Sequence, residues 1–340
     1  MTPPGKTICI LPQQLGLGGP QTFRNGLAEA FIRRGIKISS NPLDPTNNAI
    51  LVIGGTKRIA ELKRAQNMGI RLVQRLNGMN WVQRVRFTGA KHFFKAEAGN
   101  LILASLRSLA DRVVYQSEFA RGWWERSHGV LDKPQTVIHN GTDLDLFQPG
   151  EAQIPVDKYR LLLVEGHHGG GYEQGLFSAV ELASRLNQRL EKPVELCVVG
   201  DVPLHLKQQA QRPDVSIDWR GVLPHAEIPV LERMSHLLYA TDVNAACPNT
   251  VVEAMACGLP VVAFATGAMP ELVRDGAGKL AAYGANEWKL EPPDVPALAE
   301  AALEILRDRQ RFSLQARQHA LAHFDREQMA ERYLDFLLGE

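Results

Sequence analysis

Two glycine-rich turns and one short helix built of small residues carry the groups in this sequence that could hold an anion. The first turn, LGLGGP at 15–20, places Gly18 and Gly19 just ahead of a helical pattern. The second, GHHGGGY at 166–172, contains Gly166, His167, Gly169, Gly170 and Gly171. Glycine lets backbone approach a ligand closely, and the helix that follows offers unpaired N–H groups and a partial positive charge, where phosphate binds readily. Plain strand-to-helix geometry can demand either loop taken alone; two of them at equivalent places strengthen the ligand reading. The third feature is PNTVVEAMACGLPVVAFATGAMPELV at 248–273. Asn249 or Thr250 can cap a helix there, and Glu253, three residues after Thr250, completes capping-box spacing. Gly258 and Pro260 end that helix. The amides of Thr250, Val251 and Val252 suit a diphosphate, while Glu253 can cap its own helix, bind a ligand, or do both.

Other candidates are cationic. His167 or His168 could supply charge beside an anion, since histidine titrates near neutrality; both could equally be solvated loop residues. The glycines Gly169, Gly170 and Gly171 could form an amide nest. Arg75, within QRLNGMN at 74–80, follows a strand and could meet a phosphate, an anionic acceptor or a surface carboxylate. Lys91, His92 and Lys95 interleave with Phe93 and Phe94, a pattern of amphipathic helices that can also touch an acceptor or a membrane.

The elements that must position these groups alternate. In the first half, apolar strand-like runs at 7–11 (TICIL), 50–53, 70–72, 112–115 and 136–138 are separated by helical patterns at 21–34, 57–67 and 118–128. Phe23, Leu27, Ala30 and Phe31 fall on one helical face, and Gly35 ends that helix. The rhythm restarts after the turn-rich HNGTDLDLFQPG at 139–150, with strands expected at 161–164, 194–199, 235–242 and 260–264, and helices at 173–190, 250–257 and across 295–338. Such alternation predicts an α/β protein of two Rossmann-like domains with parallel sheets facing across a cleft. The expected division is 1–150, 151–325, and a final helix at 326–340.

Bulk composition agrees with a globular chain. It has 340 residues, 22% charged and 45% hydrophobic, with 38 basic and 37 acidic side chains. A net charge of +1 supplies no global field to recruit nucleic acid. Cys9, Cys197, Cys247 and Cys257 show no zinc-site spacing and read as structural thiols of a reducing compartment. No signal-peptide core opens the chain and no apolar stretch reaches membrane-spanning length, so the expected location is cytoplasmic, with at most peripheral membrane contact.

The 248–271 block closely resembles the family 4 retaining glycosyltransferases of GT-B fold, whose motif E-x7-E falls in this place. The second glutamate of that motif matches Glu253, which the resemblance implies accepts hydrogen bonds from nucleotide ribose hydroxyls. LGGPQTFRNGLAEA at 17–30 looks like the family's first glycine loop, which would put Gly18 and Gly19 beneath donor phosphates. VYQSEF at 114–119, VIHNGTDLDLF at 137–147, LCVVG at 196–200 and RGVLP at 220–224 extend the resemblance along the chain.

Three departures stand against the pattern. Position 245, where the leading glutamate belongs, is Ala245, and a methyl group cannot accept a hydrogen bond. The arginine and lysine that clamp the diphosphate in the family give way to His167 and Gln174. Glu165 adds negative charge beside the same loop. A unit-charge pair at ~4 Å is worth roughly 4 kcal/mol at an effective dielectric of ~20, so the lost cations matter. The resemblance implies sugar transfer from a nucleotide-diphosphate sugar to a glycan, lipid-linked or small-molecule acceptor hydroxyl, with retention, His167 and Arg75 being the candidate catalytic groups. No cofactor and no essential metal are expected. The departures favour an alternative, a non-catalytic nucleotide- or glycan-binding relative. A third reading is an epimerase using titratable groups such as His139, Asp143 and Glu271.

Overall fold

The run TICIL is buried along its whole length, as β-branched residues require in a strand covered on both faces. In the computed structural model, which describes residues 5–14, 19–151 and 153–339, it is β1 (Thr7–Leu11) of a six-stranded sheet. There follow α1 (Gly19–Arg33), β2 (Lys37–Ser39), β3 (Asn47–Ile53), α2 (Ile59–Asn67), β4 (Arg71–Leu76), α3 (Ala90–Leu109), β5 (Arg112–Tyr115), α4 (Glu118–His128) and β6 (Gln135–Val137). All pairings are parallel in the order β2-β1-β3-β4-β5-β6. Helix α1 buries Phe23, Leu27, Ala30 and Phe31, the predicted stripe. It stops where Gly35 N–H donates to Ile32 O and Ile36 N–H to Phe31 O, a Schellman pair.

The second unit holds β7 (Tyr159–His167), α5 (Glu173–Asn187), β8 (Val194–Asp201), α6 (Leu204–Ala210), β9 (Ser216–Gly221), α7 (Ile228–Arg233), β10 (Leu237–Ala240), α8 (Asn249–Ala256), β11 (Val261–Phe264), α9 (Met269–Leu272), β12 (Gly278–Ala281), α10 (Val295–Arg307) and α11 (Arg309–His323). Its parallel sheet runs β12-β11-β10-β7-β8-β9. Counted from β7, this is the doubly wound order 3-2-1-4-5-6, which reverses between β7 and β10. The chain closes with α12 (Arg326–Leu338).

Contacts group the described residues of Met1–Arg84, Thr88–Gly141 and Arg326–Glu340 into one unit, and those of Val85–Phe87 and Thr142–Asp325 into the other. The division thus falls ahead of the expected boundary near 150. The cause is local: Thr142 N–H donates to Phe324 O at 2.8 Å, and Arg317 donates to Phe147 O at 2.9 Å.

Within the first unit, alternate residues of β1 serve opposite faces. Ile8 and Ile10 pack with α1 and with Met329, Ala330, Tyr333, Leu334 and Leu337 of α12. Cys9 and Leu11 pack with Leu62, Leu106 and Trp124 on the other face. The second unit's core joins Leu161, Leu163, Leu196 and Val198 to α5 and α10. All four cysteines are buried, and burial pushes Cys9 and Cys197 up to about 11. No helix among the described residues is long and apolar enough to cross a membrane.

Candidate functional site

In doubly wound sheets, ligands bind beyond the carboxyl ends of the strands where the order reverses. In the second unit that place is set by the ends of β7 and β10. Thr241, just past β10, donates its hydroxyl to Glu165 Oε1 at 2.7 Å. Helix α5 comes close because Gly175 has no side chain: a Cβ there would sit 2.7 Å from Thr241 Cβ. Burial and then the charge of Asp242 hold the Glu165 carboxyl well above the usual carboxylate range, and burial raises Asp242 as well. Burial and the same two carboxyls push the Tyr172 hydroxyl up to about 12. The result is two carboxyls whose charged forms burial disfavours, Asp242 lying three residues upstream of Ala245 along the chain.

The glycine-rich turn after β7 is more self-contained than its sequence implies. Strand β7 extends to His167, whose Nδ1 lies 2.9 Å from Asp201 Oδ2, so Nδ1 carries the proton; Nε2 of this half-exposed ring lies over Gly169, 2.8 Å from where a Cβ there would sit. His168 cannot supply charge as anticipated. It is 2% exposed, its Nε2–H donates to Val199 O at 3.0 Å, and burial depresses its pKa. The amide nest also needs correction. Gly170 and Gly171 take left-handed φ of 71° and 102°, but the Gly171 N–H already donates to Glu173 Oε1 at 3.0 Å. A carboxylate of the same chain occupies one amide of the anion site; Gly166 and Gly169 stand on either side of His167 and His168.

Helix α8 starts one residue earlier than its capping residues suggest. Pro248 is the N-cap with φ −71° and ψ 129°, and no side chain caps the helix. Proline's fixed φ suits that position, which places Asn249, Thr250, Val251 and Val252 inside the first turns. The predicted capping box therefore does not form, and Glu253 is left for another partner. Its side chain is 7% exposed, and Oε1 accepts from His225 Nε2 at 2.8 Å. The His225 ring leans on Phe147 at 5.1 Å between centroids. His225 went unrecognised in the sequence although it directly follows the quoted RGVLP; a pairing across 28 positions leaves no local signal.

The segment around Ala245 is gripped by its backbone. Ala268 N–H donates to Ala245 O at 2.9 Å, and a Cβ on Gly267 would fall 2.6 Å from both Ala245 N and O. Gly267 has φ 58° and Asn244 φ 57°.

Gln174, in the first turn of α5, donates to Glu291 O at 3.0 Å and Tyr283 Oη at 3.3 Å. Arg86 lies beside it, donating to Leu290 O at 2.8 Å, with Nη2 3.5 Å from Gln174 Oε1. A cation thus stands next to the neutral side chain that replaces the expected lysine, brought from a segment far away in sequence.

The first unit holds the remaining candidates. Gly19 opens α1 and is exposed, while Gly18 lies outside the described residues. Arg75 is not a surface cation: it is 1% exposed, stacks 3.6 Å over the Phe23 ring, and donates to Asn77 Oδ1 at 2.9 Å and Asn140 Oδ1 at 2.7 Å. It orients Asn140 rather than offering its charge. Asp143 Oδ1 accepts from the Asp145 and Leu146 amides, a turn-forming role. Lys91, His92, Phe93, Phe94 and Lys95 form the exposed opening of α3, with the two phenyl rings edge to face at 5.7 Å.

Known structures share this architecture. Sucrose-phosphate synthase from Thermosynechococcus elongatus superimposes with a TM-score of 0.75 at 17% identity, covering 97% of this chain and 98% of that one. HepE of Anabaena, solved with UDP and glucose, gives 0.71 at 18% identity over 98% and 99%. WaaG, a glycosyltransferase involved in lipopolysaccharide biosynthesis, gives 0.68 at 15% identity over 98% and 100%. These likenesses define the class: an α/β protein with the GT-B fold. Residues 161–308, within the second unit, match the family described as glycosyl transferases group 1. The D-inositol 3-phosphate glycosyltransferase of Mycobacterium tuberculosis is 29% identical over 183 residues, 49% of this chain. The chain spans 36% of the length of that curated relative.

Proposed function

We propose that this protein is a family 4-type glycosyltransferase that moves a sugar from a nucleotide-diphosphate sugar to an acceptor hydroxyl with retention, in cytoplasmic glycan or glycoconjugate synthesis. The observation that carries the reading is the buried Glu253 carboxylate on α8, beside a first turn without a side-chain cap. Amides at the helix start suit the diphosphate, and a carboxylate about one turn on suits ribose hydroxyls. In transfer, the bond from the anomeric carbon to the diphosphate breaks, the bond to the acceptor oxygen forms, and the acceptor proton passes to a base. The ionised member of the Glu165–Asp242 pair is the base of the second unit, standing in for the carboxylate absent at Ala245. His167 Nε2 and Arg86 stabilise the departing diphosphate electrostatically. No metal enters this reading, and turnover is expected in the presence of a chelator.

The test is calorimetric titration with UDP, GDP, ADP and TDP, with Glu253→Ala alongside. One selective diphosphate is expected, bound roughly 10–100-fold more weakly by the variant, the loss typical of a hydrogen bond to a charged group. Folded protein that binds none of them would leave the alternative, a non-catalytic relative, which Ala245 and Gln174 favour. The acceptor is proposed only as a glycan, lipid-linked or small-molecule hydroxyl, with at most peripheral membrane contact through Phe93 and Phe94.

A further inference from the structure

Helix α11 presents Gln315, His319 and His323 at spacings of four, one above another on one face. The turn between α9 and β12 sits against this face. Asp275 adopts φ 52° and Gly276 φ 77°, and a Cβ on Gly276 would fall 2.1 Å from Gln315 Oε1. The turn thereby brings the Asp275 carboxylate to His319, with Oδ2 3.1 Å from Nδ1.

The hydrogen bonds of His319 fix which nitrogen is available. Its Nε2 lies 2.9 Å from Leu272 O, and a carbonyl only accepts, so Nε2 carries a proton. In neutral imidazole the other nitrogen, Nδ1, then bears a lone pair, and it faces a carboxylate that also only accepts. Two acceptors 3.1 Å apart call for something positive between them. His323 approaches the same point, its ring centroid 4.8 Å from that of His319. One ligand atom from each of Asp275, His319 and His323 lies within 4.8 Å of the others. The His323 ring makes no hydrogen bond to the described residues.

We propose that Asp275, His319 and His323 bind one divalent transition-metal ion, of which Zn2+ suits the donor set best. Two imidazoles and a carboxylate are ordinary zinc ligands, and ligands about 2.0–2.1 Å from a tetrahedral ion stand roughly 3.3 Å apart, near the Asp275–His319 separation. The Nε2–H donated to Leu272 O is the outer contact that metal-bound histidines usually make, and it fixes the ring's tautomer and direction. His319 is 3% exposed, Asp275 72%, so the ion enters from solvent and water fills its fourth position. None of the three residues belongs to the proposed donor site, and the inference does not depend on sugar transfer. The ion pins the end of α11 to the turn that leaves α9, adding to the hydrogen bond between His319 and Leu272 O.

The test uses tag-free full-length protein stripped with a chelator and dialysed. Titration with Co2+ is expected to produce the visible d–d bands of a tetrahedral nitrogen–oxygen site at one ion per chain, without thiolate charge-transfer bands. Zn2+ is expected to displace the Co2+ and raise Tm. His323→Gln and Asp275→Asn, both at exposed positions and checked for fold by circular dichroism, are expected to weaken binding at least tenfold and to lose the Tm increase. Absence of the bands in the parent protein would overturn the proposal. So would bands that persist unchanged in His323→Gln; a proton would then be what His319 and Asp275 share.

Discussion

At the scale of single residues, hydrogen-bond polarity settles protonation states that composition leaves open. His236 accepts the Arg160 N–H at its Nδ1, 3.0 Å away. Only the unprotonated nitrogen can do this, and burial followed by Arg309 and Arg160 lowers its pKa from 6.5 to about 4. Between those values the unfolded chain binds a proton that the folded chain refuses, so stability falls as pH drops through that window. At about 1.4 kcal/mol per unit the loss comes to roughly 3 kcal/mol. Thermal unfolding across this range is expected to show that slope, and His236→Gln to flatten it. Glu165 has the opposite sign. Its raised pKa means that the folded chain keeps a proton the unfolded chain releases, so stability falls as pH rises above about 4.5. Glu165→Gln is expected to raise Tm at pH 8 while lowering activity, a divergence readable from paired unfolding and turnover assays. Residue roles of this kind were the least legible part of the sequence. Glu253 was marked by its motif, but His225, Arg86 and Asp242 reach the site through folding across long separations. Arg75 and His168 stand at suggestive positions, yet burial removes their charge from use.

At the scale of elements, backbone geometry fixes the loop that lies against Ala245. Gly267 has a left-handed φ of 58° and no room for a Cβ, with Ala245 backbone atoms 2.6 Å from where it would be. Gly267→Ala is expected to destabilise the second unit by about 2–4 kcal/mol, through strain and forced displacement of the 244–246 segment. Diphosphate binding should weaken more than in an equally destabilised core variant such as Leu182→Ala; calorimetry beside chemical denaturation separates the two effects. Elements with a strong period were legible in advance. The α1 stripe, β5 and α4 fall where their patterns place them, since burial on one or both faces writes itself into residue type. The start of α8 did not, because Pro248 fixes the entry with its ring where a side-chain cap was expected. Helix α3 was foreshadowed only by its first few residues. It is 20 residues long and buries only Ala96, Asn100, Leu106 and Arg107, so its apolar period is faint.

At the scale of the whole molecule, both units are doubly wound parallel sheets, yet only the second is contained in nearly one stretch of chain. The first is completed by α12, which returns after the second unit has been traversed. Glu327 pairs with Arg33 and Arg34, Arg71 donates to Leu337 O at 3.0 Å, and Tyr333 meets Phe23 edge to face at 5.7 Å. Truncation after Asp325 is expected to cost the first unit well over 5 kcal/mol, since burying even one large apolar side chain contributes about 1.5–3 kcal/mol. Calorimetric scans should then show an early or missing first-unit transition while that of the second unit is kept.

The return of α12 also sets an order in time. A ribosome releases this chain from its first residue, at about 5–20 residues per second. Phe23, Leu27 and Phe31 emerge well before α12, with the whole second unit made in between. The first unit therefore cannot finish folding before the second has been made, and its uncovered α1 face is a natural client for chaperones in the interval. Nascent chains arrested after residue 325 should expose that face to protease and to hydrophobic dyes, and release of a chain that includes α12 should close it.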